Sequence, residues 1–230
     1  MTNIEIVANF EREINKLDDV IGKPAIDDSL FWLNQGIHKF IKLRFNGDFV
    51  HHTGVEETEK RRSDLINLFV TEDLTPVSTD DTNPSYNSYE YEYPQTFMFV
   101  LNEDVIISDN DGGHKMNTCV FECTRDSFMY RVNNSLTDFH YKNHRARPLR
   151  VRNSDGCSLL TDKNYQIEKY TLGYIRKPAE IVLGDQYNQE YPDFQDTTMY
   201  EIIKMAAQMY LENQSEERYK SLTQEVLTQE

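Results

Sequence analysis

Four side chains in this sequence have the chemistry to hold a soft metal ion: His114, Cys119, Cys123 and Cys157. A zinc site closes a tetrahedron from ligand pairs at short spacing. Cys119 and Cys123 stand inside a segment patterned as a strand, and no second close pair follows, so buried thiols are the better reading. Asp109 and Asp111 suggest a hard-cation loop instead. Counted from Asp109, however, Gly113 falls at the fifth position and Val120 at the twelfth, where calcium needs oxygen donors. The run Asp109–Gly113 therefore predicts a turn. His51 and His52 have no carboxylates at metalloenzyme spacing, and there is no phosphate-cradling glycine loop, GxSxG or HExxH. If folding gathers scattered carboxylates into a hydrolase, Asp109, Asp111 and His114 are its nearest approach to a cluster. No cofactor or metal is expected.

The sharpest local departure in charge is basic: His140, Lys142, His144, Arg145, Arg147, Arg150 and Arg152. Three readings stay open. Arg and Lys here could meet an acidic patch on a neighbouring subunit, since the guanidinium forks onto carboxylates. They could touch DNA phosphates. They could simply protect a solvated strand edge. A second candidate surface is aromatic: Tyr89, Tyr91 and Tyr93 alternate with Glu90 and Glu92, which places the rings on one strand face.

The remaining composition argues for assembly. Only 38% of the 230 residues are hydrophobic, and Tyr and Phe (14 and 12) far outnumber the single Trp. Mean hydropathy is −0.69. Amphipathic rings suit contacts that are large yet tolerate water. With 39 acidic and 24 basic residues, the net charge is −15. Such a chain repels nucleic acid at long range, which argues against autonomous binding. Three cysteines make no disulfide framework, so a reducing compartment is expected. No signal peptide is visible, and no run reaches the ~18 apolar residues a membrane helix needs.

Periodicity supplies the elements. Ile6, Phe10, Ile14, Leu17 and Ile21 step as one amphipathic helix ending at Gly22-Lys23-Pro24. Asp27 or Asp28 is expected to cap a second helix carrying Leu30, Leu33, Ile37, Phe40 and Ile41, to about Phe45. Glu56 to Val70 reads as a third. Strands are predicted over 96–108 and 115–124 about the Asp109–Gly113 turn, with a short helix over 126–134. A hairpin follows over 147–151 and 156–161. Tyr165 to Leu172 alternates as a strand wet on one side, and Glu180–Leu183 as a second short one. After Pro192-Asp193, capped by Asp193 or Asp196, the run Met199, Ile202, Ile203, Ala206, Met209, Tyr210 and Leu211 makes a packing helix, and Ala206-Ala207 admits a close neighbour. The fold class is α+β: N- and C-terminal helices forming a helical bundle with a β-rich middle insertion. Expected parts are an N-terminal helical part (1–72), a β-rich middle (73–190), and a C-terminal helix with an extended tail (191–230).

Four patterns in this order carry a family resemblance. They are Asp27–Phe45 followed by Glu59-Lys60-Arg61-Arg62-Ser63-Asp64-Leu65, then Thr124–Asn134 leading to Arg147-Pro148-Leu149-Arg150-Val151. Next come Tyr170–Pro178 with Ile181 and Leu183, and Tyr191-Pro192-Asp193 before Glu201-Ile202-Ile203 and Ala206–Leu211. The chain resembles the head-to-tail connector (adaptor) proteins of short-tailed bacteriophages, particularly the first ring protein below the portal in crAss-like phages. That resemblance implies a structural virion protein with no enzymatic activity. It implies a closed homo-oligomeric ring, a dodecamer, stacked between the portal protein and other tail or ring proteins. Genomic DNA would pass through the ring unbound, with no membrane involved. It would be made in the host cytoplasm and end in the virion. The C-terminal segment, with Tyr219, Leu222, Val226 and Leu227 at helical spacing, would reach the portal or a neighbouring subunit. Lys142, Arg145, Arg147, Arg150 and Arg152, with the three tyrosines, would lie at subunit interfaces. The alternative is a metal- or carboxylate-dependent tail-associated hydrolase.

Overall fold

A computed structural model describes residues 1–15, 24–46, 59–110, 112–184 and 188–214. The chain divides into two compact units. One joins residues 1–68 to 178–230, and the other is the continuous stretch 69–177. The fold is α+β.

The first unit is helical. Its elements are α1 (Asn3–Ile14), α2 (Ile26–Asn46), α3 (Glu59–Leu65) with a 3-10 turn at Ile66–Leu68, and α5 (Asp196–Gln214). The Thr2 hydroxyl accepts from the Glu5 amide while Glu5 accepts from Thr2, a reciprocal cap that fixes the start of α1. Ile6, Val7, Phe10 and Ile14 then turn inward as the period requires. Leu17 and Ile21, expected to continue that stripe, lie outside the described residues. On α2, Leu33, Ile37, Phe40 and Ile41 are buried. This helix begins one residue before the expected caps, so Asp27 and Asp28 sit in its first turn and favour the helix dipole.

Helices α2 and α5 approach closely at Gly36. A Cβ there would stand 2.8 Å from the Ala206 Cβ, a distance real side chains do not tolerate. The Ala206-Ala207 pair thus has its close neighbour in a glycine of α2. Buried beside this crossing, Arg44 pairs with Asp64 at 3.1 Å and Glu201 at 2.6 Å, and so ties α2, α3 and α5 together. Asp64 also accepts from the Thr198 hydroxyl at 3.1 Å.

Three sequence expectations fail here. The helix expected over Glu56–Val70 is shorter, because Phe69 and Val70 leave it to open the first strand of the other unit. The strand expected over Glu180–Leu183 does not form. Instead the Asn34 side chain accepts from the Ile181 amide at 2.9 Å and donates to its carbonyl at 3.3 Å. One amide side chain does the work of a strand partner, leaving Ile181 buried. Asp193, offered as a helix cap, is buried and accepts from the Ala179 amide at 2.6 Å.

The second unit holds two sheets. One has the order β1-β9-β4-β5, all antiparallel: β1 (Phe69–Leu74), β9 (Tyr165–Arg176), β4 (Phe97–Asp109), β5 (Lys115–Cys119). The other has the order β2-β3-β8-β7-β6: β2 (Ser78–Asp80), β3 (Asn87–Glu92), β8 (Gly156–Thr161), β7 (Leu149–Arg152), β6 (Phe121–Cys123), with β6 and β7 parallel. Strand β9 does not alternate as expected. Glu168 and Lys169 are both exposed where its register with β4 shifts, and Tyr170 is buried. The run from Leu172 to Ile175, flanked by β1 and β4, is buried throughout. Where β4 bulges around Asn102, the facing residue is Gly173, and a Cβ there would meet the Asn102 side-chain oxygen at 1.9 Å.

The expected strand over 115–124 is two strands. The chain crosses from one sheet to the other at Val120, whose amide reaches the Glu103 carbonyl at 3.4 Å. Neither Gly nor Pro marks the crossing, so the alternation read straight through it. The core of this unit gathers Tyr91, Val105, Ile107, Leu159, Tyr165 and Tyr170. A second cluster, with Phe139, Leu149 and Leu160, lies against α4 (Phe128–Asn133). Of the helix expected over 126–134, Val132 is buried and Met129 is exposed.

Candidate assembly surface

Folding does not gather the side chains that could do chemistry. The Asp109 carboxylate accepts from the amides of Gly113 at 2.8 Å and His114 at 3.4 Å, so it closes its own turn. Asp111, His51 and His52 lie outside the described residues. His114 stacks on His144 with ring centroids 4.0 Å apart. Cys119 is exposed at the end of β5, while Cys123 and Cys157 are buried in the other sheet. Burial pushes both of the latter thiols above the usual range. Among the described residues, no three His, Cys, Asp or Glu side chains come together as metal ligands.

The basic stretch separates into two environments. A two-residue turn at Asn143 and His144, both at positive φ (51° and 62°), folds Lys142 back on Arg145. The two exchange backbone hydrogen bonds at 3.0 and 2.9 Å. Asn tolerates this left-handed backbone, and the turn type matches a hairpin. Lys142, Arg145 and Arg152 are exposed, and Arg147 is half-buried over the Phe121 ring. Lys142, Arg145 and Arg147 line a cleft of about 350 Å³ together with Met116, Ala146 and Leu136. Leu136 is 87% exposed, an unusual position for a leucine. On α4, Met129 and Tyr130 are exposed too, Tyr130 at 74%.

Arg150 is different. It is buried, pairing at 2.7 Å with Glu103 and at 2.7 Å with Glu122. Glu103 in turn accepts from the Tyr170 hydroxyl at 2.5 Å. Burial raises the Glu103 carboxyl above its ordinary value, against the pull of Tyr170 and Arg150. This guanidinium is an internal tie inside the subunit and has no free surface to offer a neighbour.

The tyrosines fall on one face of β3, with Glu90 and Glu92 exposed on the other, as the alternation required. That face looks inward. Tyr91 is 4% exposed and packs on Tyr170 at 4.7 Å, so it belongs to the core. Tyr93 stacks on Phe97 at 4.3 Å, and Tyr89 is half-buried against the same core. Burial raises all three phenols. Tyr219, Leu222, Val226 and Leu227 lie outside the described residues.

What the β unit presents outward is therefore charge and apolar surface side by side. Residues 1–191 match the family described as phage tail ring protein 3/4. The chain belongs to that family. It is also similar to Ring protein 3 of Bacteroides phage crAss001, 25% identical over 189 residues that cover 80% of each chain. Helix α5 and all that follows lie beyond the matched family residues. Among the described residues, no helix is long and apolar enough to cross a membrane.

Proposed function

We propose that this protein is a structural component of the virion tail, a homo-oligomeric ring without enzymatic activity, and that it acts as a head-to-tail connector. In this reading about twelve copies close a ring that extends the DNA channel from the portal and offers its far side to other tail or ring proteins. Membership of the tail ring protein family carries the reading. The exposed Leu136 beside the basic side chains of its cleft supports it, since a ring subunit has two unlike flanks that only its neighbours cover. The helical unit is taken as a bundle in this reading. A net charge of −15 favours passage of DNA without adhesion.

The C-terminal segment with Tyr219, Leu222, Val226 and Leu227 is the portal-docking element in this reading. Removing residues after Gln214 should lower co-purification with the cognate portal by about tenfold or more, which corresponds to a loss of some 1.4 kcal/mol. Co-purification at the full-length level would count against portal docking through this segment.

A further inference from the structure

The basic groove carries positive charge that the described residues of its own subunit leave largely unpaired. Among the described residues, neither Lys142 nor Arg145 pairs with a carboxylate, and Arg147 has only Asp138, at 3.9 Å. His140, also on the rim, faces Asp162 at 3.7 Å. A groove with an exposed leucine in its wall and uncompensated cations at its mouth fits a surface that is apolar and acidic together. Most of the negative charge of the chain lies in the helical unit.

One face of that unit has both properties. At the start of α2, Ile26 (57% exposed) and Phe31 (54% exposed) flank Asp27 and Asp28. Asp27 and Phe31 are four residues apart and Asp28 and Phe31 three, so these side chains share one side of the helix. Neither aspartate forms an ion pair among the described residues, and no Lys or Arg occurs between Ala25 and Gln35. Other exposed apolar side chains of the unit fit less well. Tyr200 borders a cleft that contains Arg12, with Asp196 already paired to the Met1 ammonium at 2.6 Å. Ile66 follows Arg61 and Arg62, whose charge repeats that of the groove. Ile4 adjoins Glu5, which is engaged in its own helix cap.

We propose that the groove of Leu136, Lys142, Arg145 and Arg147 receives the Ile26–Phe31 face of α2 from a second copy of this chain. The inference rests on the ring reading and names the two surfaces that meet. Phe31 covers Leu136 and Met116, while Asp27 and Asp28 neutralise Lys142 and Arg145, and Ile26 flanks the contact at the helix start. The two surfaces are unlike, so the contact is head-to-tail, the kind whose repetition gives a ring when the rotation closes.

Charge reversal tests it on the full-length protein. One variant carries Lys142→Glu and Arg145→Glu, and the other Asp27→Lys and Asp28→Lys. Each alone should self-associate at least about tenfold more weakly than the natural protein in sedimentation equilibrium. Their equimolar mixture should recover to within about threefold, because each reversed surface finds its complement on the other variant. The neutral pairs Lys142→Gln/Arg145→Gln and Asp27→Asn/Asp28→Asn should weaken association less and guard against a reversed variant that does not fold. If the natural protein assembles and either reversed variant assembles equally well, or the mixture gains nothing, this pairing is wrong while the ring stands. If the natural protein never assembles, alone or with its tail partners, the ring reading falls and takes the pairing with it.

Discussion

Replacing Arg44 by Met should cost the helical unit about 3–5 kcal/mol, a large share of the ~5–15 kcal/mol typical of a folded domain. The reason is the pair of carboxylates it would strand. Asp64 and Glu201 meet Arg44 at 3.1 and 2.6 Å in a site with little solvent, where Lys60 also reaches Glu201 at 3.1 Å. Desolvated carboxylates without a cation are costly, whereas an apolar replacement of the whole cluster is not. Adding Asp64→Asn and Glu201→Gln to Arg44→Met should therefore recover a substantial part of the loss. The lone tryptophan, Trp32, lies on α2 and packs edge-on to Tyr210 at 6.4 Å, so its fluorescence in urea reports on this unit. A loss below about 1 kcal/mol for Arg44→Met would show the cluster to be solvated and unimportant.

In the β unit the corresponding change is Arg150→Met, which leaves Glu103 with the Tyr170 hydroxyl and no cation. A loss of about 3–5 kcal/mol is expected at neutral pH. The size of that loss should depend on pH, with a definite sign. Burial already raises the Glu103 carboxyl above its unfolded value, and without Arg150 it rises further. A folded state that binds the proton more tightly is favoured in acid. The penalty is absent below the unfolded value and grows as pH rises through the folded one. Urea titrations followed by circular dichroism should thus bring Arg150→Met closest to the natural protein in mild acid and furthest from it at neutrality. A pH-independent difference would mean that Glu103 is not the stranded group. Charge reversal at Arg150 is for the same reason a test of folding, and subunit contacts are better probed at Lys142 and Arg145.

The contrast between these two arginines shows what the sequence could and could not reveal. The apolar stripes of α1, α2 and α5 stood out because each repeats at the helical period over several turns, and the turn at Asp109 was marked by Asx and Gly residues. Arg44 also left a trace, as a cation in line with Leu33, Ile37, Phe40 and Ile41, but a partner 157 residues away has no local signature. Arg150 was grouped with its exposed neighbours because it shares their charge. Its own strand, β7, is buried from Leu149 to Val151 and exposed only at Arg152, a difference that spacing does not reveal. Its partners Glu103 and Tyr170 lie on β4 and β9, and nothing in their spacing announces them. The crossing at Val120 and the Asn34 clamp on Ile181 were invisible for a related reason: each is settled by a distant backbone and not by local preference. The Tyr89, Tyr91 and Tyr93 face was correctly assigned to one side of a strand, yet alternation cannot say which side meets the core.

Electron microscopy of the purified protein, alone and mixed with its cognate portal and tail proteins, bears most directly on its role. Closed rings of one repeating copy, stacked on a partner around an open channel, are the expected result. A preparation that stays monomeric with every tail partner and turns over a substrate would contradict it.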